Sequence, residues 1–295
     1  MKSAVSENRF PDQSASRRLP FRRGGTLWKQ SSIKALLLCL LAVQLSCQSG
    51  LTQAQEAQES MKKQSDVKSL IPDDPEHRLI LWDLSGGFRR PLPDDFEKLP
   101  TLQIFADGRV VSGANGPELE NGEARLSEEE LTDLMEFVVD ECEFFETSQA
   151  ELRELLKDYR SPLADGMTTD LNVETVRDQQ SISIYALRMA ANAFPESEGL
   201  QHLSQLEARL KTLKLLADAG GQDGLKTVLE KVNQQLKVEG SDVTMTPANL
   251  VAASRFKDGR LTMRFHQRLE DASTTALVIR QNKEADLEIK ITIGQ

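Results

Sequence analysis

Cysteine, histidine and recognisable reaction signatures are all scarce in this chain. Its 295 residues include three cysteines, Cys39, Cys47 and Cys142. The first two fall in the N-terminal segment read below as a leader. Cys142 is then the only thiol of a mature chain, so no internal disulfide forms and apolar cores must hold the domains. The three histidines, His77, His202 and His266, show neither HExxH nor any paired metal-ligand spacing. Ser85 in "LSGGF" lacks the GxSxG frame of a hydrolase elbow. Gly86-Gly87 is not followed by the GK[ST] ending of a phosphate-cradling loop. No cofactor and no metal is expected.

Positive charge is short too. The formal net charge is −10. Residues 1–54 carry eight Lys/Arg and two Asp/Glu, leaving 28 Lys/Arg against 44 Asp/Glu in the remainder, a balance of −16. That excess argues against phosphate-backbone binding, so no nucleic-acid partner is expected. Long apolar runs are also missing. The longest, "ALLLCLLAV" at residues 35–43, is far below the ~20 residues of a comfortable membrane span.

That short run reads as part of a leader. Arg17, Arg18, Arg22, Arg23, Lys29 and Lys34 precede it and small residues follow, the layout of a secretory signal peptide. "TQA" (Thr52 to Ala54) suits cleavage before Gln55. "LSC" (Leu45 to Cys47) resembles a lipobox, and makes Cys47 the competing lipidation site. Either way the expectation is export, to the periplasm or cell surface. Membrane contact is expected only through the leader or a lipid anchor. Residues 55–77, rich in Gln, Glu, Ser and Lys, read as a disordered polar tether.

The most strongly patterned stretch runs from Arg78 to Phe145. "RLILWDL" suits a pleated surface and stops at Gly86-Gly87. Apolar residues flank Asp107-Gly108, which predicts a hairpin turn. Ser127 with Glu130 three residues on is a capping box, and Leu131, Leu134, Met135 and Val138 follow at helical spacing. Ser148 and Glu151 repeat that spacing before a second short helix. "DLNVETV" and "SISIYAL" predict a second hairpin, and Leu200, Leu203, Leu206, Leu210, Leu213 and Leu216 a long helix. A four-strand antiparallel sheet packed against helices accounts for residues 78–219, an α+β domain.

Residues 220–295 then read as a smaller α+β unit. Leu225, Val228, Leu229 and Val232 mark a helix, and Thr246-Pro247 suits the start of another. Three runs, "RLTMRFHQRL", "TTALVIRQN" and "DLEIKITI", predict a three-strand meander. "FKDGRL" around Asp258-Gly259 echoes "FADGRV" around Asp107-Gly108. Since the flanks differ, shared turn chemistry explains the echo better than duplication.

The leader, the tether, the Gly-Gly-Phe loop, the Ala-Asp-Gly-Arg turn and "LSEEELTDLMEFV" together resemble uncharacterised exported bacterial proteins. The resemblance covers Arg78 to Leu216 and implies no activity at any position. The resulting expectation is a non-enzymatic binding or scaffolding protein of the cell envelope, acting on a protein or envelope component. The alternative is an exported hydrolase using carboxylates from separate loops, with Asp83, Asp94 and Asp95 as candidates. Cys142, beside Phe144 and Phe145, reads as buried and structural rather than nucleophilic. The acidic helix face of residues 128–143 reads as solvated rather than calcium-binding. Arg89 and Arg90 read as surface cations beside a turn.

Overall fold

The computed structural model describes residues 67–87, 93, 96, 98–161, 165–268 and 273–294. The leader and its cleavage site, Cys47, most of the tether, Arg89, Arg90, Asp94 and Asp95 lie outside the described residues.

The architecture is α+β. Among the described residues, ten strands form two antiparallel sheets, of six and four strands, accompanied by five α-helices. The first sheet has the order β4-β3-β2-β1-β5-β6. Its strands are β1 (Arg78–Gly86), β2 (Leu102–Phe105), β3 (Arg109–Ser112), β4 (Gly122–Arg125), β5 (Met167–Glu174) and β6 (Gln179–Tyr185). The long β1 is central because its apolar residues serve both neighbours. Ile80 lies opposite Ile104 of β2 and Val173 of β5, and Trp82 opposite Leu102 and Leu171. Six strands stand where the pattern predicted four. β4, "GEAR", escaped because four residues with one alanine carry no alternation to read.

Helices α1 (Glu128–Glu136), α2 (Gln149–Leu155), α3 (Leu187–Ala193) and α4 (Glu198–Asp218) accompany this sheet. Leu200, Leu203, Leu206 and Leu210 of α4 are fully buried in one cluster with Leu134 of α1 and Ile80, Ile104 and Ile184 of the sheet. Each such side chain contributes about 1.5–3 kcal/mol gross, most of it offset by lost chain entropy. α1 continues into a π-helical turn, Phe137–Glu141, closed by the Cys142 N–H donating to the Phe137 carbonyl at 2.8 Å. The exposed edge of β6 is occupied by Gln149, whose side-chain amide accepts from Ser183 N–H (2.7 Å) and donates to Ser183 C=O (3.2 Å). This imitates a strand pairing and blunts an edge open to aggregation.

Packing begins earlier than residue 78. Val67 is buried in the first core, and the Val176 N–H donates to the Leu70 carbonyl. The last part of the predicted tether therefore lies docked on the sheet, because Val67, Leu70 and Ile71 form a small apolar group at its end.

At Gly220-Gly221 the chain leaves α4 with both residues at positive φ (+88° and +78°) and starts α5 (Gly221–Val238) at once. Leu225, Val228, Leu229, Val232 and Leu236 form the stripe of α5. They pack with Met263, Phe265, Ala276 and Val278 in a second core. The second sheet, in order β10-β9-β8-β7, comprises β7 (Leu250–Arg255), β8 (Leu261–Arg268), β9 (Ser273–Arg280) and β10 (Glu288–Gly294). This is a four-strand meander rather than three. No second helix follows Thr246-Pro247; a single 3₁₀ turn, Pro247–Asn249, leads directly into β7. Pairing of Leu250–Arg255 with β8 overrides the helical preference of its alanines.

Candidate functional site

Among the described residues is a cleft of about 720 Å³, within the range of small-molecule sites. Five elements build it. Trp82 and Leu84 come from one face of β1. Thr169, paired opposite Leu84, and Met167, paired opposite Gly86, extend that surface onto β5. Leu187, Arg188 and Met189 come from the first turn of α3. Val251, Ala252 and Ala253 come from β7, the edge strand of the second sheet. The remaining wall is α4, which contributes Glu207, Lys211, Lys214 and Asp218. Their spacing of four, three and four residues puts them on one helical stripe.

The lining is mostly apolar, and part of it is open to solvent. Met167 and Val251 are 44% and 40% exposed, so apolar surface of the cleft meets solvent. Between β6 and α3, Ala186 adopts a left-handed conformation (φ 51°), a cost of about 1–2 kcal/mol for a residue with a Cβ. The sharp corner brings α3 directly onto the strand ends and delivers Arg188 to the cleft.

Most polar groups around the cleft are engaged. Glu207 accepts from Thr169 Oγ1 at 2.6 Å. Asp218 takes the Lys214 ammonium at 2.6 Å and the Ser112 hydroxyl. Asp83, on the opposite side of β1 from Trp82, accepts from Thr101 N–H (3.0 Å), Thr101 Oγ1 (2.8 Å) and the Lys98 ammonium (3.0 Å). Burial works against the charged carboxylate, but hydrogen bonds from Thr101 and Lys98 outweigh it and hold the Asp83 carboxyl below its usual range. Other lining groups lack such partners. Among the described residues, Arg188 and Lys211 have no carboxylate partner, and the indole N–H of Trp82, a residue 3% exposed, has no acceptor. A buried donor without an acceptor is costly and uncommon.

The residues singled out from sequence lie elsewhere, in structural roles. Ser127 Oγ accepts from Glu130 N–H while Glu130 Oε2 accepts from Ser127 N–H, the reciprocal cap of α1. That backbone hydrogen bond, against a smaller opposing effect of burial, lowers the Glu130 carboxyl. The Asp107-Gly108 and Asp258-Gly259 turns are close copies. In both, the glycine N–H bonds to the phenylalanine carbonyl three residues back, at 3.0 Å for Gly108 and 2.8 Å for Gly259. In both, the aspartate accepts from the arginine N–H two residues on, and the arginine stacks on the phenylalanine ring at 4.4 and 4.3 Å. Gly108 and Gly259 have φ of +81° and +86°, which explains the shared Asp-Gly.

Cys142 is 1% exposed and donates its thiol toward the His202 carbonyl at 3.6 Å. Burial, reinforced by the Glu141 charge and opposed by Arg209, pushes the thiol up to about 12. A nucleophilic cysteine needs the opposite shift. His266 projects from β8 to Thr275 Oγ1 (3.0 Å), and His77 lies 3.8 Å from Glu174. Ser85 donates to Asp170, which also accepts from Ser183. Glu143, Glu146, Glu151 and Glu198 line a shallow polar depression with His202. Among the described residues, no group of three His, Cys, Asp or Glu side chains is placed to hold a metal ion.

None of those residues lines the cleft. Its residues went unnoticed because Glu207, Lys211, Lys214 and Asp218 look like the solvated face of a leucine-striped helix. The available signal was their own helical spacing. No protein-family model matches the chain, and neither the curated proteins nor the solved structures yield a match.

Proposed function

We propose that this chain is an exported, non-enzymatic binding protein of the cell envelope whose ligand sits in the cleft between β1, β5, α3, α4 and β7. The observation that carries the reading is the cleft itself, large enough for a small molecule and lined by apolar side chains, two of them exposed. Its basic leader and short apolar run support the export half.

The hydrolase alternative draws less support. Asp83 is tied to Thr101 and Lys98, and its carboxyl is lowered, whereas a general acid at neutral pH needs a raised one. Glu207 and Asp218 are likewise committed to hydrogen-bonding or ionic partners.

Binding of N-phenyl-1-naphthylamine, a neutral apolar dye, tests the cleft. Val251→Trp and Met167→Trp narrow its mouth at exposed positions and should each weaken dye binding at least fivefold while the melting curve stays cooperative. Unchanged dye binding in both variants would remove the cleft from the account. Turnover in a hydrolase screen, abolished by Asp83→Asn or Glu207→Gln without unfolding, would replace binding by catalysis.

A further inference from the structure

We propose that the ligand of the cleft is a small anionic amphiphile: an apolar chain or ring system capped by one carboxylate or phosphate group. This rests on the cleft being a binding site and adds the class of molecule it selects. The apolar part fits the surface of Trp82, Leu84, Met167, Leu187 and Leu215. The anionic end fits the rim, where the charges are unevenly satisfied.

Four cations line the cleft, Lys98, Arg188, Lys211 and Lys214, against two carboxylates, Glu207 and Asp218. Two of the cations are spent, Lys98 on Asp83 and Lys214 on Asp218. Arg188 and Lys211 are exposed and lack a carboxylate partner among the described residues. Glu207 is only half-buried and holds a hydroxyl rather than a cation. The balance at the rim is therefore positive, in a chain whose formal net charge is −10. A locally cationic rim around an apolar floor repels cationic amphiphiles and attracts anionic ones. Guanidinium and ammonium groups both donate to carboxylate and phosphate oxygens, so the rim fits either head group. Lys211 shares its helical stripe with Glu207 and Lys214, so the long α4 fixes where the cation stands relative to the floor.

Competition for the bound neutral dye in the full-length protein tests the inference. The competitors are dodecanoate, dodecyl phosphate, dodecanol and dodecyltrimethylammonium, all below micelle-forming concentrations. Dodecanoate or dodecyl phosphate should displace the dye at about one-tenth the concentration needed for the ammonium compound, a difference of about 1.4 kcal/mol. That preference should shrink as salt rises. Whichever anion competes better identifies carboxylate or phosphate as the head group. In Arg188→Gln/Lys211→Gln the preference should fall below threefold while dodecanol and the dye bind as before. Equal competition by anionic and cationic amphiphiles would overturn the inference and leave the cleft a binding site. So would a preference that survives the double substitution. Loss of dye binding to the unaltered protein would sink both.

Discussion

Gly108 stands at a point where two physical demands coincide, and its replacement by valine separates a hairpin built as described from one built otherwise. The residue has φ +81°, a conformation strained by about 1–3 kcal/mol for a side chain branched at Cβ. A Cβ there would lie 2.5 Å from the Leu126 carbonyl oxygen, a backbone atom that cannot rotate aside. The Leu126 N–H also donates to the Gly108 carbonyl at 2.8 Å, so relieving the clash threatens a hydrogen bond with a net contribution of about 0.5–1.5 kcal/mol. Together these predict a loss of about 2–4 kcal/mol. With a urea slope of about 1–3 kcal/mol/M, the midpoint followed by circular dichroism should fall by roughly 1–2 M. Gly240 supplies the control. It too has positive φ, +72°, but a Cβ there meets nothing within 4 Å, so Gly240→Val bears strain alone. If Gly108→Val were no more destabilising than Gly240→Val, the close approach to Leu126 would be wrong.

Three further outcomes are expected. Ser127→Ala removes the α1 cap and should cost about 0.5–2 kcal/mol in chemical denaturation, while Ser127→Asp should retain most of it. Asp83 has a lowered folded-state pKa, so its contribution is complete above the ordinary aspartate value and is lost as pH falls through the depressed one; Asp83→Asn should flatten that acid limb of the stability profile, and an unaltered limb would place the titration elsewhere. Cys142 should resist a water-soluble thiol reagent in the native protein and react stoichiometrically in denaturant, because burial holds its thiol near 12.

Local physics made much of this fold legible. A capping box, two Asp-Gly turns and helical leucine spacing each report on a few neighbouring residues, and α1, the two hairpin turns and α4 stand where those signals put them. Strand counts were less legible. β4 has almost no apolar alternation, and β7 carries alanines that suit a helix until β8 is there to pair with. The cleft was hidden for a related reason. Trp82, Arg188, Lys211 and Val251 are distant in sequence, and each alone reads as ordinary core or surface. Only the sheet, α3, α4 and β7 packed together reveal a common lining. Ala186 shows the same limit, since nothing in "IYALRM" announces a left-handed corner.

If the cleft binds an anionic amphiphile, the indole of Trp82, which lines it, is the most direct reporter. With tryptophan only at positions 28 and 82, the indole region of an amide proton–nitrogen spectrum is sparse and assignable through Trp82→Phe. Titration with dodecanoate, or with dodecyl phosphate if that competes better, should shift the Trp82 indole resonance saturably. The Leu84, Met167, Thr169 and Lys211 amides should move with it, and the effect should vanish in Val251→Trp. A stationary Trp82 indole, with shifts gathered instead around the depression of Glu143, Glu146 and His202, would contradict the account.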